Sequence, residues 1–144
     1  MHDLGIEDCP LDQRLDSKLS KARRNISNGF VDESDFEPEN LGKTGQLVYS
    51  ELRAAPPPDE DLVFTHGDLC LPNIVIHHGK VSGFIDLDRA GIADRYQDIA
   101  LFLRSFSLNF EGTSGLTAAF MRGYGTDSLD REKLDFYRKL DELF

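Results

Sequence analysis

Apolar positions in the first third of the chain recur at helical spacing. Leu15, Leu19, Ala22 and Ile26 predict a helix over 12–28 with one face inward, and Gly29 is placed to end it. Leu47, Val48 and Leu52 predict a second helix over 44–53, with all three turned inward. Between them, Val31-Asp32-Glu33-Ser34-Asp35-Phe36-Glu37-Pro38-Glu39 has no period, and Pro38 opposes regular structure. The sharpest break is Ala55-Pro56-Pro57-Pro58-Asp59-Glu60-Asp61, which reads as a stiff linker.

Beyond the linker the period shortens. Leu62-Val63-Phe64-Thr65 is a short strand, and residues 74–77 and 80–85 flank His78-Gly79 as a β-hairpin. Asp94 is placed to cap a helix starting at Arg95-Tyr96, with Gln97 completing a capping box. Ile99, Ala100, Phe102, Leu103 and Phe106 give that helix a broad apolar face. Two further helices are predicted near 114–124 and 131–143, the last with Leu134, Tyr137 and Leu140 on one side. The fold class is α/β, mainly a helical body carrying one hairpin. It forms a single domain over 1–144, with a helical part (1–60) and a part bearing loop, hairpin and last helices (61–144).

Composition adds a sign of charge. There are 26 acidic residues against 16 basic, a formal net charge of −10, which argues against nucleic acid or an anionic membrane as partner. A cationic ligand would be attracted, although acidity often serves solubility alone. Cys9 and Cys70 are too few and too far apart for a disulfide framework or zinc site. No apolar run reaches the ~20 residues of a membrane span. The start, Met1-His2-Asp3-Leu4-Gly5-Ile6-Glu7-Asp8, lacks the basic and apolar regions of a signal peptide, so the chain reads as cytosolic.

The chemistry is concentrated in Phe64-Thr65-His66-Gly67-Asp68-Leu69-Cys70-Leu71-Pro72-Asn73 and in Gly83-Phe84-Ile85-Asp86. A loop between strand and hairpin can turn Asp68 and Asn73 toward one cavity. The carboxylate of Asp68 would accept a hydrogen bond from a substrate hydroxyl, and the Asn73 carboxamide oxygen would bind Mg²⁺. Asp86, one hairpin later, stands where a second metal ligand is needed. Each alone reads equally well as a turn, a backbone cap or a strand end; the three in order point to kinase-type phosphoryl transfer. His66 reads as architectural, bonding the loop backbone. His77 and His78 sit at a solvated hairpin tip. Arg89 and Arg104 serve either phosphate or fold, Arg104 being placed to pair with a loop carboxylate.

These motifs resemble those of the aminoglycoside phosphotransferases, particularly the 3′-phosphotransferase (kanamycin and neomycin kinase) group. The resemblance runs through Thr65-His66-Gly67-Asp68, Cys70-Leu71-Pro72-Asn73, Ser82-Gly83-Phe84-Ile85-Asp86, Gly91 to Ala100 and Phe136 to Phe144, with a weaker likeness at Asp8-Cys9-Pro10. It implies ATP- and Mg²⁺-dependent transfer of a phosphoryl group to an aminoglycoside hydroxyl, giving antibiotic resistance. It also implies that Asp68 is the base and that Asn73 and Asp86 hold the metal. Asp35 and Glu37 of the acidic loop, with Asp141, Glu142 and the terminal carboxylate of Phe144, would face the amino sugars. His66, Arg89 and Arg104 would support nucleotide or loop. The net acidity then has a role, since aminoglycosides are polycations.

Two departures accompany the resemblance. Asp88 stands where the family usually has Gly. No glycine-rich loop followed by a lysine-bearing strand is found, so the chain is expected to be the C-terminal lobe of a protein-kinase-like fold without its nucleotide-binding lobe. Alone, it should bind ATP weakly and turn over little. An alternative is a non-catalytic module that binds a cation or a partner and self-associates through the surface such a lobe would cover. A kinase for another small hydroxylated amine, or a phosphatase using Asp86-Leu87-Asp88, are further alternatives.

Overall fold

Three helices meet where their apolar stripes face one another. In α1 (Leu15–Asn28), Leu19 and Ala22 are buried; in α2 (Gly45–Ala54), Val48 and Leu52 are; in the last helix, Arg131–Asp141, Phe136, Tyr137 and Leu140 are. With Phe36, Ala100 and Leu143 they form one core, so the parts before and after the linker share it. Each fully buried leucine contributes about 1.5–3 kcal/mol. These are features of a computed structural model, which describes residues 1–110, 114–125 and 128–144.

Local signals set the helix ends. Gly29 takes φ 68° after α1, and the Phe30 N–H reaches the Asn25 carbonyl at 3.0 Å, a left-handed C-terminal cap that glycine adopts without strain. The Thr44 side chain accepts from the Leu47 N–H at 3.2 Å, capping α2. Leu47 itself is 49% exposed, contrary to the sequence expectation. Gly45, Val48 and Leu52 define the buried stripe, and Leu47 falls off it by about 100° per residue.

The middle of the chain carries more β structure than one hairpin. Strands β1 (Leu62–Thr65) and β4 (Gly91–Asp94) pair antiparallel, while β2 (Ile74–His77) and β3 (Lys80–Phe84) form the predicted hairpin. Its tip, His78-Gly79, has positive φ at both residues (49° and 73°), the geometry of a tight primed turn. β4 is short and buried at all four positions, so it shows no alternation to read. Its outer side is bonded by the N-terminal segment, Ile92 N–H to the Leu11 carbonyl (2.8 Å) and Gln13 N–H to the Ile92 carbonyl (2.9 Å).

The proline-rich segment is tied down rather than free. Glu60 accepts from the Leu15 N–H at 2.8 Å, Asp61 pairs with Arg95, and Asp59 pairs with Lys133. Helices α3 (Tyr96–Asn109) and α4 (Ser114–Tyr124) follow, and Arg131–Asp141 is α5. The Asp94 carboxylate accepts from the Tyr96 N–H at 2.9 Å, yet no capping box forms, because Gln97 is buried and bonded elsewhere. Leu101, absent from the predicted face, is 1% exposed, whereas Leu103 and Phe106 are only half-buried. No helix among the described residues is long and apolar enough to cross a membrane.

Candidate active site

Strand β1 delivers His66-Gly67-Asp68 to the centre of the molecule, and each residue of the loop is held by a different partner. The fully buried His66 ring receives the Asp68 N–H on Nδ1 (3.3 Å) and meets the Ile85 carbonyl at Nε2 (2.9 Å), so Nε2 carries the proton. One ring thus ties the Asp68 loop to the segment leading to Asp86. It has an architectural position. Gly67 sits at φ 86°, and a Cβ there would lie 1.9 Å from the Arg89 carbonyl oxygen, so both the turn and the close approach require glycine.

Asn73 is buried and directs Nδ2 at the Asp68 carbonyl (2.9 Å) and the Asp68 Oδ2 (3.3 Å). Its carboxamide oxygen makes no protein hydrogen bond among the described residues and is left for another ligand. Asp86 follows β3 at φ 59°, a left-handed conformation that a non-glycine residue adopts at some cost. Its carboxylate is exposed and likewise has no protein partner among the described residues. No cluster of three or more His, Cys, Asp or Glu able to hold a metal occurs among the described residues. What the chain offers instead is two hard oxygen donors, the set Mg²⁺ uses when phosphates and water complete its shell.

Helix α3 supplies supports that sequence reading missed. Asp98, 1% exposed, accepts from the backbone N–H groups of His66 (2.8 Å) and Gly67 (2.9 Å). Gln97 donates to the Gly67 carbonyl at 2.9 Å, and the Ser105 hydroxyl accepts from the Leu71 N–H at 3.0 Å. A signal was available: Asp98, Leu101 and Ser105 share one helical stripe, so an acid there is a charge turned inward.

Beside this loop lies a cavity of about 560 Å³ lined by Asp32, Asp35, Glu37, Glu39, Asp141 and Glu142 together with Arg104 and Arg138. The buried Phe36 pins the acidic loop in the core, which turns its neighbours Asp35 and Glu37 to the cavity. Asp141 is gripped by Arg89 and by Arg104 (2.6 Å), while Glu37 is gripped by Arg138 (2.6 Å) and lies 3.6 Å from Arg104. Arg89 and Arg104 therefore pair with acids of this cavity, and Arg138 joins them unanticipated. Burial works against the Arg104 charge, but Asp141, Glu37 and Asp68 outweigh it and raise its pKa. Burial pushes the Glu142 carboxyl up, against hydrogen bonds from Asn40 and the Glu37 N–H. Phe144 lines the cavity, with the Lys18 ammonium 5.0 Å and the Arg89 guanidinium 5.1 Å from its ring centre. Buried polar atoms without a hydrogen-bond partner among the described residues concentrate here, including Glu37 Oε1, Glu142 Oε2, Arg89 Nε and Arg138 Nε.

The family model of the phosphotransferase enzyme family matches residues 1–137. The chain belongs to that family. Among curated relatives it is 44% identical to an aminoglycoside 3′-phosphotransferase of Streptomyces fradiae, over all of this chain and 55% of that one. It is 45% identical to one of Niallia circulans, over all of this chain and 54% of that one. The chain thus spans about half the length of the curated relatives it matches. Among solved structures, an aminoglycoside-3′-phosphotransferase of type VIII superposes on 99% of this chain and 56% of its own, with TM-score 0.87 and 37% identity. An aminoglycoside phosphotransferase from Streptomyces rimosus in complex with ADP and streptomycin superposes on 99% of this chain and 57% of its own, with TM-score 0.87 and 31% identity.

Within the family's fold, Asp68 and Asn73 are brought into contact, and His66 links their loop to Asp86. Asp35, Glu37, Asp141, Glu142 and Phe144, 105 residues apart in sequence between Glu37 and Glu142, line one cavity. Asp68, Asn73 and Asp86 do not line it; Arg104 connects the two regions by sensing both Asp68 and Asp141. The strand pairs β1–β4 and β2–β3 are antiparallel, and the one parallel contact among the described residues is the isolated bridge of Asp12 to Ile92, which leaves the phosphatase alternative without its parallel sheet.

Proposed function

We propose that the chain is the substrate- and metal-binding part of an aminoglycoside 3′-kinase, the C-terminal lobe of a protein-kinase-like fold. Asp68 accepts the proton of the sugar hydroxyl as it attacks the γ-phosphoryl group of ATP. Asn73 steadies Asp68 through Nδ2 and offers its oxygen, with the Asp86 carboxylate, to Mg²⁺. The bound metal would neutralise charge on the phosphates. Asp98 and His66 keep the loop in place without touching substrate. Asp35, Glu37, Asp141, Glu142 and Phe144 receive the amino sugars. The observation that carries this reading is the pairing of the Asn73 amide with Asp68 (2.9 and 3.3 Å), which leaves the Asn73 carboxamide oxygen for another ligand.

Calorimetric titration of kanamycin at low salt tests it. We expect saturable binding that weakens several-fold in Asp35→Asn and in Glu142→Gln, two changes outside the core. Absence of saturable heat up to millimolar drug would sink the assignment. The hairpin and the residue after it expose Ile76 (59%), Val81 (57%) and Ile85 (52%), which favours a covered surface there, either for a nucleotide-binding lobe or for a second copy of the chain.

A further inference from the structure

The acids that would receive a cationic ligand already have cations. Arg89, Asp141, Arg104, Glu37 and Arg138 form a ladder of alternating charge along one wall of the cavity. Its members are not equally held. Arg104 answers to Asp141, Glu37 and Asp68, and Arg89 is fixed by both Asp141 and the Phe144 ring. Arg138, at the end of the ladder, has Glu37 as its one charged partner among the described residues. Its side chain is the most exposed of the three (37%), and its Nε is buried without a partner. Glu37 gives Arg138 its Oε2 at 2.6 Å, while its Oε1 has no hydrogen bond.

We propose that Arg138 is a specificity-determining residue of the cavity: it occupies Glu37 as an internal surrogate for a ligand ammonium, so a ligand gains from Glu37 only by displacing or sharing it. This rests on the reading of the cavity as the site for a polyamine sugar. A weakly charged amine cannot compete with a guanidinium for the one carboxylate, whereas a ligand carrying several ammonium groups, anchored at Asp35 and Glu142, presents one to Glu37 at high effective concentration. Arg138 thus sets a threshold on ligand charge.

Kanamycin is titrated calorimetrically into the unaltered protein, Arg138→Met, Arg138→Lys, Glu37→Gln and the Arg138→Met/Glu37→Gln double variant, each checked for an intact thermal transition. Arg138→Met should bind roughly fivefold tighter, the range set by an exposed ion pair. Arg138→Lys should stay near the unaltered protein, and the gain should vanish in the Glu37→Gln background. Unchanged or weaker binding by Arg138→Met overturns the inference, as does a gain that persists without Glu37, which marks a general charge effect. Should Arg138→Met fail to fold, Arg138→Gln carries the same comparison. No heat from any of the proteins sinks the cavity assignment itself.

Discussion

Lys18 is the residue most at odds with its surroundings. It is 3% exposed on the core face of α1, and burial pushes its ammonium down from 10.5 to about 7, with Arg89 adding to the effect and Asp141 opposing it. The unfolded chain holds this proton up to the ordinary lysine range, so between pH 7 and 10 the unfolded state binds more protons and stability rises with pH. We expect Lys18→Met to raise the melting temperature by roughly 5 °C or more at pH 7 and to lose that advantage as the pH approaches 10. A gain independent of pH would contradict the origin assigned to it. At this scale the sequence was informative where chemistry depends on residue type. Asp68, Asn73 and Asp86 stood out because carboxylate, carboxamide and carboxylate at that spacing have few other uses. Lys18 and Arg138 did not, because what distinguishes them is burial and the partner each meets through the fold.

Helix α3 shows how an element can hold the Asp68 loop without contributing a residue to it. Its first turns put Gln97 and Asp98 beneath the Asp68 loop, where Asp98 satisfies two backbone N–H groups that would otherwise be buried without partners. Asp98→Asn offers an amide NH₂ to one of those donors, and should cost about 2–4 kcal/mol in denaturant unfolding. A change of under about 0.5 kcal/mol, the scale of ordinary surface substitutions, would show that the loop does not depend on it. The helices were legible because a 3.6-residue apolar period survives in α1, α2 and α5. β4 was not, because a four-residue strand buried on all sides has no period. The capping box at Asp94 failed because tertiary contact with Gly67 outcompeted local bonding for Gln97.

Across the whole molecule, the excess of acids is not spread evenly in effect. Much of the charge near the cavity is compensated by Arg89, Arg104 and Arg138, so the net charge of −10 overstates the pull on a cation at Glu37 and Asp141. The exposed acids Asp32, Asp35 and Glu39 remain to attract it over longer distance. Composition therefore points to the sign of the proposed ligand, while the fold shows which acids near the cavity are already paired with arginines. The central claim is that Asp68 is the base of a phosphoryl transfer to an aminoglycoside hydroxyl. Its most direct test joins this chain to the remaining half of the Streptomyces fradiae relative and follows ATP- and Mg²⁺-dependent phosphorylation of kanamycin by ³¹P NMR. We expect a 3′-phosphorylated product from the chimera and a rate lower by about 10²–10⁴-fold in Asp68→Asn, with kanamycin binding retained. Turnover unaffected by Asp68→Asn, or none from a folded chimera that binds kanamycin and ATP, would contradict it.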